Sequence, residues 1–372
     1  MQRNIQTPTL LAIAVALAST PAGAAPDAAE VSRALAPIRL KHDLPALAGA
    51  IVDTRGLVVA GATGVRKRGD TTPATPKDRW HLGSNTKAMT ATLAARFVER
   101  GRLRMESTLG ETFPELAGAM QPAARGITLA QLLTNRSGVP ANPDWGRIHG
   151  AGGSLIEQRL RAVAFGGSAP LAFAPGAGTQ YSNLGFAMAG AMLERTGRNS
   201  WEELLNLQLF IPLGMNDCGF GGTGTPGRID QPWSHHVDGR PADRNGPTVD
   251  NVPALGPAGT VHCTLESWAE FIADHLRGAR GEKAGLAPET YKRLHTAQPG
   301  SDYAYGWANA QRDWAGGTAI HHNGSNTMNF SVAWLAPRRG FAVLVVSNQG
   351  GERAERALDE AASALIQMRL KP

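Results

Sequence analysis

Several features are scarce in this sequence, and each scarcity narrows what the protein does. Two cysteines, Cys218 and Cys263, occur in 372 residues. So few exclude a disulfide-dense scaffold or a four-cysteine metal knot. The chain has no His-Glu-x-x-His motif. Neither adjacent histidine pair, His235-His236 or His321-His322, continues into a His-x-His-x-Asp-His cluster. A metal-dependent hydrolase therefore has no support, and no metal or cofactor is expected. A Gly-x-Ser-x-Gly elbow is also missing, which argues against an α/β-hydrolase. The densest basic run, Arg66-Lys67-Arg68, is short and has no interleaved aromatics. The net charge of +6 is otherwise spread along the chain, so no nucleic-acid partner is expected.

Long apolar runs are confined to the start. Arg3 precedes the short apolar stretch Leu10–Ala18, and Ala22-Gly23-Ala24 has the small residues of a cleavage site. Residues 1–25 read as a signal peptide and predict a periplasmic or secreted protein. No later run is long enough to span a bilayer, so no membrane span is expected after its removal. In an oxidising compartment Cys218 and Cys263 either pair or stay as two buried thiols; their spacing does not decide.

The pattern that follows is sheet, helices, sheet. Leu47–Val52 and Leu57–Gly61 read as strands around the turn Asp53-Thr54-Arg55-Gly56. A helix is expected from about Ser84 to Arg100, with Met89, Leu93 and Phe97 as its stripe and Gly101 at its end. Helical periods recur near 155–165, 184–195, 200–210, 264–276 and 288–294. The stretch 219–259 is rich in Gly, Pro, Asp and Asn, and a loop that long often lines a site. Strands return at 303–309, 318–321, 329–335 and 341–347, and a helix over 353–368 closes the chain. The fold class is α/β (α+β): one antiparallel sheet built from both chain ends, flanked by helices, with a helical region inserted. The sheet domain is expected from 26–80 and 256–372, and the helical domain from 81–255.

Three short motifs carry chemistry. Ser84-Asn85-Thr86-Lys87 lies where a loop enters a helix. Residues three apart share a helix face, so the hydroxyl and the amine can meet. A buried lysine loses its charge and can take the serine proton. Alone, the tetrapeptide fits a helix-cap serine and a solvated lysine equally well. Tyr181-Ser182-Asn183 supplies a phenol, whose pKa a cationic lysine nearby would lower, and an amide to orient a substrate carbonyl or the lysine. His322-Asn323-Gly324 precedes a strand near Phe330; the N–H of Ser325 could join that of Ser84 as an oxyanion hole. Taken singly, these two read as a turn with a helix cap and as an Asn-Gly turn.

In this order and spacing, the motifs resemble those of the serine β-lactamase and penicillin-binding-protein superfamily. The similarity extends from about Leu47 to Asn348. It takes in Ile127–Pro140, Phe173–Gly176, Pro212–Met215 and Gly256–Thr260. The nearest likeness is to class C β-lactamases, D-alanyl-D-alanine carboxypeptidases and β-lactamase-like esterases. The resemblance implies an acyl-enzyme mechanism with Ser84 as nucleophile and Lys87 as its activator. Tyr181 would be partner base and then acid. Asn183, His322, Gly324 and Ser325 would bind the substrate. Class C β-lactamases usually carry lysine at the position of His322. A histidine with pKa near 6.5 would be only about one-quarter protonated at pH 7. The expected function is thus an exported serine hydrolase acting on ester or amide (D-Ala-peptide-like) substrates, with small molecules, peptides and peptidoglycan as partners. A class C-like β-lactamase and a non-catalytic binder of cell-wall fragments are the alternatives. Asn85 and Thr86 differ from the common residues of the tetrapeptide, without evident consequence.

Overall fold

The computed structural model describes residues 26–242 and 249–371. The expected signal peptide lies outside them. Among the described residues, nine strands occur in chain order: β1 (Ala46–Asp53), β2 (Gly56–Gly64), β3 (Trp80–His81), β4 (Gly219–Phe220), β5 (Val261–Cys263), β6 (Ala308–Arg312), β7 (Gly317–Ser325), β8 (Phe330–Ala336) and β9 (Phe341–Ser347). Six of them form an antiparallel sheet in the order β2-β1-β9-β8-β7-β6. The chain start and end therefore meet where β1 pairs with β9.

Side chains alternate across this sheet, and both faces are covered. One face presents Leu47, Ile51, Val343 and Val345 to two terminal helices, α1 (Ala28–Lys41) and the long C-terminal helix Glu352–Leu370. The other presents Ala48, Ala50, Val52, Leu344 and Val346 to the main core, which includes Phe271, Ile272 and Leu276 of the helix Leu265–Ala279. Burial on both sides explains why β1 reads as an almost unbroken apolar run. Among the described residues, no helix is long and apolar enough to cross a membrane.

Most helix starts obey local rules. Asp27, Thr128, Ser154 and Ser200 each cap a helix with their side chain and donate their own backbone N–H to the Glu or Gln side chain three residues on. The helix after the first motif is α2 (Thr86–Glu99), and a single 3₁₀ turn, Gly83–Asn85, precedes it. The expected strand at 303–309 starts instead at Ala308, because Gly306 turns the chain at φ +75°. Strand β7 runs on through His322-Asn323-Gly324 to Ser325 rather than stopping before them. Extended pairing with β8, from Ile320–Leu335 to Ser325–Phe330, wins over the Asn-Gly turn.

Among the linkages that tie the 219–259 stretch to the core are one covalent and one ionic. A disulfide joins Cys218 to Cys263, beside the small sheet β3-β5-β4. Arg159, fully buried on the helix Leu155–Ser168, pairs with Glu194 and Glu202. It also donates to the carbonyls of Pro253 (3.0 Å) and Ala254 (3.2 Å). Removing one member of such a network leaves buried charge without a partner. Arg159→Ala should therefore destabilise the fold by about 3–5 kcal/mol, read as a shift in the denaturant midpoint.

Candidate active site

The 3₁₀ turn before α2 places Ser84 half-buried at the rim of the sheet, one helical turn from Lys87. Lys87 is completely buried, and its amine has three neighbours. Nζ lies 3.1 Å from Ser84 Oγ, 2.8 Å from Asn183 Oδ1 and 2.7 Å from the carbonyl oxygen of Ala258. Burial lowers its pKa well below the ordinary lysine value. A neutral amine has two N–H bonds and one lone pair. The two carbonyl oxygens accept both N–H bonds, so the lone pair is left facing the Ser84 hydroxyl.

Tyr181 stands beside Ser84, and burial raises the phenol's pKa above its usual value of 10.0. The residue as a whole is 42% exposed. The outer ring therefore borders open space while the hydroxyl end is enclosed. Lys87 Nζ sits 4.7 Å from the ring centroid. The expectation that a lysine cation would lower the phenol's pKa is corrected: desolvation dominates both groups and favours a neutral amine beside a neutral phenol.

His322 also departs from expectation. It is buried; its Nδ1 donates to the carbonyl of Asn323 at 2.6 Å, and its Nε2 accepts from the Tyr303 hydroxyl at 3.0 Å. Burial, and then the proximity of Lys87, lower its pKa to about 3, so the one-quarter protonation expected at pH 7 does not occur. Its ring stands 6.3 Å from that of Tyr181.

Gly324 and Ser325 reach the site because two backbone segments touch without side chains between them. A Cβ on Gly83, whose φ is +49°, would lie 2.4 Å from Ser325 N. One on Gly324 would lie 2.0 Å from the carbonyl oxygen of Leu82. Only glycine allows either approach. Asn85 and Thr86 do have a consequence here. Asn85 Nδ2 donates to Ser331 Oγ (2.8 Å), which donates to Leu82 O (2.7 Å); Thr86 Oγ1 accepts from Val261 N (3.1 Å). Both pin the turn that carries Ser84.

Several contributors were not singled out from sequence. Asn142 Oδ1 accepts from Asn183 Nδ2 at 3.0 Å and from Trp145 Nε1 at 3.0 Å, which orients the Asn183 amide toward Lys87. Asn135, at φ +58°, accepts from Ser182 N at 3.0 Å, and its side chain lies beside the Tyr303 hydroxyl. Ala258 acts through its backbone alone. The only signal for Asn135, Asn142 and Ala258 was their place inside or beside the landmark segments 127–140 and 256–260. Among the described residues, no group of three or more His, Cys, Asp or Glu is placed to hold a metal ion.

The chain is similar to several known proteins. Penicillin-binding protein 4 of Amycolatopsis lactamdurans is 28% identical over 334 residues, covering 84% of this chain and 83% of the relative. Esterase EstB of Burkholderia gladioli is 31% identical over 212 residues, 52% of this chain and 50% of the esterase. The crystal structure of D-alanine carboxypeptidase AmpC from Burkholderia cenocepacia superposes with a TM-score of 0.71 at 21% identity. That match covers 91% of this chain and 98% of the carboxypeptidase, and shows a common fold. The family model described as Beta-lactamase matches residues 27–367, so the chain belongs to the β-lactamase family and is a serine hydrolase of the β-lactamase fold.

Proposed function

We propose that this protein is an exported esterase that works through an acyl-enzyme on Ser84. The observation that carries the mechanism is the 3.1 Å contact between Ser84 Oγ and a lysine whose other two bonds go to carbonyl oxygens. As Ser84 Oγ attacks an ester carbonyl, its proton passes to the lone pair of Lys87. The backbone N–H groups of Ser84 and Ser325 hold the developing oxyanion. Tyr181, still protonated, gives its proton to the departing alkoxide and is reprotonated from Lys87. Water then attacks the acyl-Ser84 carbonyl and gives its proton to the lone pair of Lys87, which returns a proton to Ser84 Oγ as the acid departs. In this order Tyr181 acts first as acid rather than as partner base. Asn183 holds the substrate carbonyl side and the amine together.

The substrate class follows from charge. Lys87 is the basic member of the cluster; burial disfavours its charged form, and its amine is taken up by Ser84, Asn183 and Ala258. His322 is neutral, and both its nitrogens are engaged within the protein. Neither offers a cation to a substrate carboxylate. Uncharged acyl esters are therefore favoured over D-Ala-D-Ala peptides and β-lactams, which present a carboxylate. The likeness to Esterase EstB supports the same reading. Export is supported by the signal-like residues 1–25 and by the Cys218–Cys263 disulfide, which suits an oxidising compartment. Peptidoglycan fragments remain the second substrate class, on the likeness to Penicillin-binding protein 4.

One preparation assayed with p-nitrophenyl butyrate, nitrocefin and a D-Ala-D-Ala peptide tests the substrate class. The ester should give kcat/KM at least about tenfold above the other two, a difference of about 1.4 kcal/mol in transition-state binding. A peptide or nitrocefin value above that of the ester would overturn it.

The mechanism is tested by substitution. Ser84→Ala should abolish turnover with thermal unfolding nearly unchanged. Lys87→Ala and Tyr181→Phe should each lose about two orders of magnitude or more in kcat, and the double variant little beyond the worse single one.

The pH profile has a defined sign. Protonation of Lys87 removes the lone pair, so ester kcat/KM should fall on the acid side, through a pKa well below 10.5. Tyr181 keeps its proton past pH 10, so no alkaline fall is expected below that pH. No inflection from His322 should appear near pH 6.5.

A further inference from the structure

We propose that Asp250 is a positioning residue for the oxyanion hole, one buried carboxylate that fixes both of its walls. The proposal rests on the reading of Ser84 as the acylated nucleophile, with Ser84 N–H and Ser325 N–H as the oxyanion donors. Asp250 lies in the long irregular stretch between β4 and β5, far in sequence from either donor. Its side chain is 4% exposed.

One carboxylate oxygen faces each wall. On the nucleophile side, His81 ends β3, three residues before Ser84. Its Nδ1 accepts from Gly83 N at 3.1 Å, which leaves the ring proton on Nε2. Nε2 lies 2.8 Å from Asp250 Oδ2, off the line of a well-aligned hydrogen bond. On the sheet side, Asn326 directly follows Ser325. Its Oδ1 accepts from Met328 N (3.2 Å), Asn329 N (2.9 Å) and Asn329 Nδ2 (3.1 Å). Those three donors settle the amide orientation and turn Nδ2 toward Asp250 Oδ1, at 2.9 Å. The side chains of His81, Asp250 and Asn326 are all enclosed.

This arrangement couples two segments that the sheet does not hold together at that point. The Gly83–Ser84 turn is steadied through His81, and the Ser325–Asn326 turn through Asn326. If the carboxylate is lost, the buried amide N–H of Asn326 has no acceptor and the buried imidazole loses the oxygen 2.8 Å from its Nε2. Each can find a new partner only by moving the turn it belongs to. The two oxyanion donors then drift relative to each other, which weakens transition-state binding more than ground-state binding. Asp250 also starts the run of chain that ends at Ala258, whose carbonyl oxygen holds Lys87.

The test compares Asp250→Ala, Asp250→Asn, Asn326→Ala and the Asp250→Ala/Asn326→Ala double variant. Each is assayed with p-nitrophenyl butyrate, with a fluorophosphonate that labels Ser84, and by thermal unfolding. Asp250→Ala should lower kcat by about 10- to 100-fold with KM within about twofold. The labelling rate should fall by a similar factor, because the phosphonyl adduct uses the same donors. Asp250→Asn keeps one acceptor oxygen and should fall between wild type and Asp250→Ala. The double variant should lose little beyond Asp250→Ala, and the acid limb set by Lys87 should stay in place.

Wild-type kcat in both Asp250 variants, or a rise in KM alone, would overturn the proposal. So would kcat losses that merely follow the unfolded fraction. If Asp250→Ala does not fold, the near-isosteric Asp250→Asn decides. Turnover that survives in Ser84→Ala overturns the acyl-enzyme reading itself; an inactive Ser84→Ala beside a fully active Asp250→Asn overturns this inference alone.

Discussion

A lysine amine stripped of water and held by two carbonyl oxygens is the constraint around which this site is built. In water the Lys87 amine would carry a charge and three donors. Inside the protein it has the carbonyl of Ala258 and the amide oxygen of Asn183 as acceptors, with Ser84 as its third neighbour. Desolvation disfavours the charge, and in the neutral amine the two acceptors decide where the lone pair points. Each acceptor comes from a different part of the chain, so the chemistry exists only once the helical region and the segment leading to β5 have packed on α2. The Arg159 network, which holds the carbonyls of Pro253 and Ala254 just before Ala258, belongs to the same requirement.

The second constraint is backbone proximity. The turn that carries Ser84 and the end of β7 approach so closely that Gly83 and Gly324 admit no side chain. That contact is reinforced by Asn85 through Ser331 and by Thr86 through Val261 N. A strand that continues to Ser325, with its pairing to β8 intact, supplies a stiffer wall than the Asn-Gly turn that local chemistry would favour. Function and fold stability draw on the same hydrogen bonds here, since the strand presenting Ser325 is also part of the six-stranded sheet.

The histidine wall shows how burial changes the meaning of a residue. An exposed His322 would share its charge between two states near neutral pH. Enclosed between Tyr303 and the Asn323 carbonyl, it is a neutral spacer that packs beside Tyr181. Tyr181 shifts in the same sense, because burial favours its neutral phenol. Both corrections share a cause: sequence reveals the neighbours a side chain is to have along one element, but not how much water the whole fold takes away from it.

Much of the architecture was legible in the residues. Apolar runs bounded by turn residues marked β1, β2, β8 and β9 closely, and the stripe Met89, Leu93, Phe97 marked α2, because both depend on neighbours within a few positions. The Ser84–Lys87 contact was legible for the same reason, being one turn of helix. The strand at 303–309 was misplaced because Gly306 turns the chain within an apolar aromatic run.

The sequence by itself determined which groups are present, the local periods that fold them into helices and strands, and the one-turn spacing of Ser84 and Lys87. The tertiary structure alone decided that Asn142, Ala258, Tyr303 and Asp250 stand behind those groups, that Cys218 meets Cys263, and that burial disfavours the charged forms of Lys87, Tyr181 and His322. The division has a physical reason: hydrogen-bond partners across long loops and the loss of solvent are properties of packed surfaces, and no local pattern of residues encodes them.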